Sequence, residues 1–241
     1  MSLNDKLVLI TGAARRVGRE IALAVAQAGG DVVIHYHTSQ AEAESLQGEI
    51  DRLGRRAFLL QADLEDMAKV ESIVSRAGKH GPLFALINNA AIFESLSWKN
   101  TTLEAWNRHL LINLTVPFLL SQAFAGWLPE GETGRIINLL DWRALRPGAD
   151  HLPYTTSKAA LAALTHSLAI ALAPRITVNG LALGAILPPE EGIAPRNILD
   201  RVPAGRWADL QEVGQAATFL LDGPAYITGE IIHIDGGRHL V

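Results

Sequence analysis

LVLITGAARRVGRE, residues 7–20, changes character in its middle. A short apolar, β-branched run gives way to a glycine-bearing turn, and REIALAVAQAG then opens a helical pattern. A strand, a glycine turn and a helix in that order aim free N–H groups and a positive dipole end at whatever sits above the turn. A pyrophosphate is the usual occupant of such a turn. Gly12 permits the tight turn and Gly18 the close approach of helix to strand. Arg15 and Arg16 stand between them, where such turns often carry another glycine. Cations at a helix N-terminus oppose the dipole, so either they are ordinary solvated residues or an anion lies beside them.

Outward from this stretch, apolar runs alternate with longer helical patterns. The strand candidates are Lys6–Thr11, Asp31–His37, Ala57–Ala62, Leu83–Asn88, Arg135–Leu140, Ile176–Ala182 and Ile231–Ile234. This alternation predicts βαβ units in one domain over residues 1–241. The expected fold class is α/β, a Rossmann-type doubly wound parallel sheet of about seven strands with helices on both faces. Two irregular stretches, DWRALRPGADHLP (141–153) and LGAILPPEEGIAPRN (183–197), follow strand C-terminal ends and are placed to wall a site. Glu190 and Glu191 read as an exposed pair in the second. Two helical stretches, TLEAWNRHLLINLTVPFLLSQAFAGWL and YTTSKAALAALTHSLAIALA, are apolar nearly all round. They predict either tight packing on the sheet or a face buried against a second copy.

Composition narrows the function. The 241 residues carry a net charge of −4, which argues against broad electrostatic binding to nucleic acid or an acidic membrane. With no cysteine, disulfides, thiolate metal sites and a cysteine nucleophile are excluded. The first residues lack the apolar run of a signal peptide, and no run approaches the ~18 apolar residues of a membrane span. A reducing cytoplasm fits.

A site for NAD carries a carboxylate at the end of the second strand, for the ribose 2′-hydroxyl. VVIHYHTSQ, 32–40, contains no acid, and Asp31 lies at the wrong end of the strand. Arg16 can fork onto phosphate oxygens, and His37, Thr38 and Ser39 can donate to the same group. The expected cofactor is therefore NADPH rather than NADH. His35 and His37 share a strand face with metal-chelating spacing, but no further ligand lies nearby in sequence, so no metal is expected.

Tyr154 and Lys158 in YTTSK fall on one face of a helix. An ammonium near a phenol lowers its pKa and suits it to deliver a proton. Taken with the glycine turn, INNAA at 87–91, Asn113 in INLT and the ending GEIIHIDGG, the chain resembles the short-chain dehydrogenase/reductase family over its whole length. The resemblance implies that Tyr154 donates the proton. Lys158 would bind the nicotinamide ribose and tune Tyr154, and Asn113 would hold a relay water. Gly12, Arg16, Val17, Gly18, Tyr36, His37, Thr38, Ser39, Asp63, Leu64, Asn89, Ala90, Lys158, Gly184 and Ile186 would line the cofactor site. A homotetramer is the assembly implied.

The departure from the family lies thirteen residues before Tyr154, where a serine usually orients a substrate carbonyl. Here Asp141 stands. An ionised carboxylate accepts only and repels a carbonyl oxygen, whereas a protonated one donates. Arginine in the turn, HYHTS at 35–39, Phe93 in NNAAIF and Asp141 together resemble the pteridine reductase branch. That resemblance implies a flat pterin stacked between Phe93 and the nicotinamide. Arg16 would touch both cofactor and substrate, and Asp141 and Tyr154 would feed protons to ring nitrogens. Thr38, Ala91 and Leu183 depart from the branch and leave substrate size open. The implied reaction is NADPH-dependent reduction of a dihydropteridine such as dihydrobiopterin, dihydromonapterin or dihydrofolate. The rival readings are a carbonyl reductase of a 3-oxoacyl thioester or other ketone, and a non-catalytic NADPH sensor. Trp142 is a candidate pocket wall, His151 reads as a loop histidine, and Arg238 could reach a neighbouring subunit.

Overall fold

Strands covered on both faces must be apolar on both faces, and the central strands here are. In the computed structural model, which describes residues 3–186 and 199–241, Leu7, Val8, Leu9 and Ile10 are all buried. These four residues are the first strand, β1 (Leu7–Ile10). It is joined by β2 (Asp31–Tyr36), β3 (Ala57–Gln61), β4 (Leu83–Asn88), β5 (Gly134–Asp141), β6 (Ile176–Leu183) and β7 (Ile231–Ile234). All pair in parallel, in the order β3-β2-β1-β4-β5-β6-β7. The expected Rossmann-type sheet is therefore present. The winding reverses between β1 and β4, which opens a crevice above their C-terminal ends.

Alternate residues of β1 feed opposite cores. Val8 and Ile10 pack with Ile21 and Val25 of α1 (Arg16–Gln27), Leu46 of α2 (Gln40–Arg52) and Val213 of α7 (Leu210–Asp222). Leu7 and Leu9 pack with Ile73 of α3 (Met67–Gly78) and with Val116, Leu120 and Phe124 of α5 (Val116–Trp127). The same side receives Ala169 of α6 (Leu152–Leu172). A buried polar chain crosses this layer. Asn88 donates to Asn138 at 2.8 Å and to Ser121 at 3.3 Å, and Asn138 donates to Thr165 at 2.9 Å. It ties β4, β5, α5 and α6 together, leaving only the Asn88 Oδ1 of this polar chain without a donor among the described residues.

α4 (Leu103–Leu110) runs into α5 through a π-helical segment, Leu111–Thr115. Within Leu103–Trp127 an 18-residue stretch, at mean hydropathy 1.4, is long and apolar enough to cross a membrane by length and composition alone. The whole segment is not an unbroken apolar run, since it contains Glu104, Asn107, Arg108 and His109. Its Ile112, Val116, Leu120 and Phe124 belong to the core of the sheet. The outer faces of α5 and α6 leave Phe118, Trp127 and Ile170 exposed.

Two boundaries differ from expectation in ways that matter. β5 extends to Asp141, because Asp141 pairs with Leu183 of β6. Asp141 is thus held by the sheet and does not open a loop. β2 ends at Tyr36, leaving His37 in the connection. Of the stretch 183–197, residues 187–197 lie outside the described residues, with Glu190 and Glu191 among them.

Candidate active site

The turn after β1 is built around close contacts. Gly12 has φ +62°, and a Cβ there would meet Ala90 at 3.1 Å. A Cβ on Gly18 would lie 2.4 Å from the Gly12 carbonyl oxygen. Arg16 also lies in the left-handed region, at φ +53°. The backbone keeps the shape of a glycine turn, but a long cation occupies the glycine-type position at a cost of about 1–2 kcal/mol. Thr11 and Asn89 lock the turn to the end of β4. Asn89 Nδ2 donates to the Thr11 and Gly12 carbonyls at 2.8 and 3.0 Å, and Thr11 Oγ1 accepts from the Asn89 and Ala90 amides.

Beside the turn, an open cleft of about 430 Å³ is lined by Ala14, Arg15, Arg16, Arg19, Glu42 and Ser45, among others. Glu42, the first acid after β2, sits in α2 and is 3.9 Å from Arg15. Thr38 and Ser39 lie at the N-terminus of α2, and the Ser39 side chain makes no capping bond. Asp63, just past β3, accepts from the Glu65 amide and lies 3.6 Å from His37. The side chains of Tyr36, Leu64 and Ile186 are buried in the cores on either side of the sheet. Val17 packs partly on the same core, and Gly184 donates its amide to Ile234. Among the described residues no group of His, Cys, Asp and Glu could hold a metal.

At the far side of β4 the structure brings Asp141, Tyr154, Lys158 and Asn113 together. Tyr154 Oη donates to Asp141 Oδ2 at 3.2 Å, and Asp141 Oδ1 accepts from the Arg143 amide at 2.8 Å. Burial pushes the Asp141 carboxyl above its ordinary range, against the opposing pull of Arg143. Lys158 Nζ donates to the Leu139 carbonyl at 2.6 Å, and burial lowers its pKa to about 8. Asn113 sits in the π segment, fully buried. It donates to the Ile92 carbonyl and to Ser157, and accepts from the Ile92 amide.

One electrostatic expectation is corrected. Spacing on the helix suggests that Lys158 lowers the Tyr154 pKa. Instead burial and the Asp141 charge hold Tyr154 well above the usual phenol value. The Lys158 ammonium is 5.8 Å from the phenol ring and spends its bond on Leu139. Tyr154 is a phenol kept protonated.

Phe93 is more than half exposed. It stacks on His151 with centroids 4.1 Å apart and meets the Tyr154 ring edge-on at 4.6 Å. His151 is a loop residue whose ring is packed against a neighbour. It precedes α6 with φ +50°, and its Nδ1 lies 2.9 Å from the Glu94 carbonyl. Arg238 lies over Trp142 of its own chain, at 4.3 Å from the ring centroid.

A family model described as enoyl-(acyl carrier protein) reductase matches residues 12–239. A 3-oxoacyl-[acyl-carrier-protein] reductase of Synechocystis sp. is 32% identical, covering 98% of each chain. The Escherichia coli enzyme of the same name, FabG, is 34% identical over the full length of both. Among solved structures, FolM alternative dihydrofolate reductase 1 from Brucella canis, complexed with NADP, superposes with a TM-score of 0.91 at 35% identity. The match covers 100% of this chain and 97% of that one. This chain belongs to the short-chain dehydrogenase/reductase family.

For a member of that family, the residue hardest to foresee from sequence was His35. Its buried Nδ1 accepts from the Gly12 amide at 3.1 Å, so the neutral ring anchors the cofactor turn to β2. Burial lowers its pKa to about 4. A histidine held neutral in the fold binds fewer protons than in the unfolded chain between pH 6.5 and about 4, so its contribution is complete above 6.5 and lost as pH falls. We expect urea midpoints to drop across this window, by a contribution of about 3 kcal/mol. A His35→Gln variant should lose that part of the pH dependence, and an unchanged profile in the variant would refute the assignment.

Proposed function

We propose that this oxidoreductase reduces a pteridine ring with NADPH, taking a dihydropteridine such as dihydrobiopterin, dihydromonapterin or dihydrofolate. The observation that carries this reading is the Tyr154–Asp141 hydrogen bond at 3.2 Å, with burial favouring the protonated form of both partners. A protonated phenol beside a carboxyl shifted towards its protonated form suits the reduction of a ring C=N, in which one atom gains hydride and its neighbour a proton. NADPH supplies the hydride when bound. The chain fits it: the glycine turn closes on Gly12 and Gly18, and the cleft beside Arg15, Arg16 and Arg19 faces a β2 end without a carboxylate.

In this reading Arg16, His37, Thr38 and Ser39 hold the 2′-phosphate, and Asn89, Ala90, Asp63 and Lys158 line the remainder of the cofactor site. Phe93 offers its exposed surface to the flat substrate, and Asn113 holds the segment around Ile92 in place. The similarity to FolM from Brucella canis supports the pteridine assignment. The names of the curated relatives favour the second reading, reduction of a 3-oxoacyl thioester. The exposed apolar faces of α5 and α6 support a homo-oligomer, a tetramer in this proposal, and the absence of cysteine suits the cytoplasm.

NADPH oxidation measured with 7,8-dihydrobiopterin and, separately, with ethyl acetoacetate tests the assignment. We expect turnover of the pterin alone, reduced about 10²–10⁴-fold in Asp141→Ala. Turnover of the ketone alone would overturn the pteridine reading. The Arg16→Gly variant relieves the left-handed strain and should fold normally, yet bind NADPH about tenfold more weakly by calorimetry. With protonated Lys158 as the competent form, kcat/KM should fall as pH rises through about 8.

A further inference from the structure

Two arginines lie against one indole beside the Asp141 carboxyl. Trp142 opens the short turn Trp142–Ala144 directly after β5. The Arg143 guanidinium is 5.0 Å from its ring centroid, and that of Arg238, from the C-terminal turn Arg238–Leu240, is 4.3 Å away. Arg146 ties the two turns together by donating to the His239 carbonyl at 3.3 Å.

These cations are incompletely answered. Arg143 reaches Asp150 at 3.1 Å and Asp141 at 3.8 Å, yet its Nε is buried with no acceptor among the described residues. Among the described residues, Arg238 has no carboxylate at ion-pair distance. Partial burial and the charges of Arg143 and Arg201 outweigh the pull of Asp141 and Asp150 on it and lower its pKa. Cations held together at partial burial favour an anion that can approach from solvent.

That anion is not on the cofactor's adenosine side. The cleft of Arg15, Arg16 and Arg19 lies beside the ends of β1 and β2, whereas Arg238 follows β7. Five strand steps separate β2 from β7, roughly 20–25 Å at the usual strand spacing. Asp141, at the end of β5, lies between the two basic regions.

We propose that Arg238 and Arg143, both set against Trp142 beside Asp141, form a subsite for an anionic group, a carboxylate or a phosphate. The group belongs to the substrate substituent that points away from the reacting ring. The proposal rests on the reading of Asp141 and Tyr154 as the reaction centre. It makes the substrate a tailed, negatively charged pteridine. Guanidinium forks bind such oxyanions through charge-assisted hydrogen bonds.

The test compares three dihydropterins that share a ring and differ in the tail. These are 7,8-dihydrobiopterin (neutral), 7,8-dihydrofolate (carboxylates) and 7,8-dihydroneopterin 3′-phosphate. KM and kcat are measured for the unaltered protein, Arg238→Gln and Arg238→Lys, with NADPH affinity as the check on folding. In Arg238→Gln the ratio of KM for an anionic substrate to KM for the neutral one should rise about tenfold with little change in the kcat ratio. Arg238→Lys should restore most of it. Whichever anionic substrate shows the effect identifies carboxylate or phosphate. An unchanged ratio, or a loss shared equally by all three substrates, overturns the subsite. If no dihydropterin is turned over, the pteridine reading has failed. The same ratio is then read with acetoacetyl-CoA, which carries phosphates, against neutral acetoacetyl-N-acetylcysteamine. A tenfold rise for the CoA thioester keeps the subsite, and an unchanged ratio or no turnover of either overturns it.

Discussion

The ammonium of Lys158 donates to the Leu139 carbonyl inside the protein, and the arrangement of the site follows from that bond. It fastens α6 to the end of β5. Tyr154, one turn earlier on α6, then falls beside Asp141, two residues further along β5. Ser157 completes the junction by donating to the Tyr154 carbonyl and accepting from Asn113. A buried cation with a carbonyl as its hydrogen-bond partner is costly, and the lowered pKa of Lys158 expresses that cost. The fold sustains it because the polar chain from Asn88 through Asn138 to Thr165 joins the same strand and helix from below.

The crevice is electrically uneven along the sheet. The end near β1 and β2 carries Arg15, Arg16 and Arg19, partly answered by Glu42 and Glu49. The end near β5 and β7 carries Arg143, Arg146 and Arg238. Between them sit the uncharged donors and acceptors of Asn89, Asn113 and Tyr154, with Asp141 as the acid. A protein of net charge −4 thus concentrates positive charge at both ends of one groove. Overall charge says little about such a site, because local placement of side chains sets the field a ligand meets.

Sequence made the frame legible because parallel strands need apolar residues on both faces, and seven such runs were visible between helical patterns. It was less informative where tertiary pairing decides. Asp141 looked like the start of a loop until its pairing with Leu183 placed it on the sheet. The helical spacing of Tyr154 and Lys158 revealed proximity but not burial, and burial reversed the expected direction of the Tyr154 pKa. His151 and Arg238 are distant in sequence from the rings they stack on, so no local pattern could assign them. Arg15 and Arg16 were recognised as electrostatically odd. That Arg16 also has a left-handed backbone was invisible until the chain was seen folded.

That backbone makes residue 16 a place where shape and charge pull apart. Glycine fits the left-handed region without steric cost, so the fold of the turn asks for no side chain there. Whatever the guanidinium contributes is therefore separable from the turn that carries it, and the two can be weighed independently by exchanging the one residue.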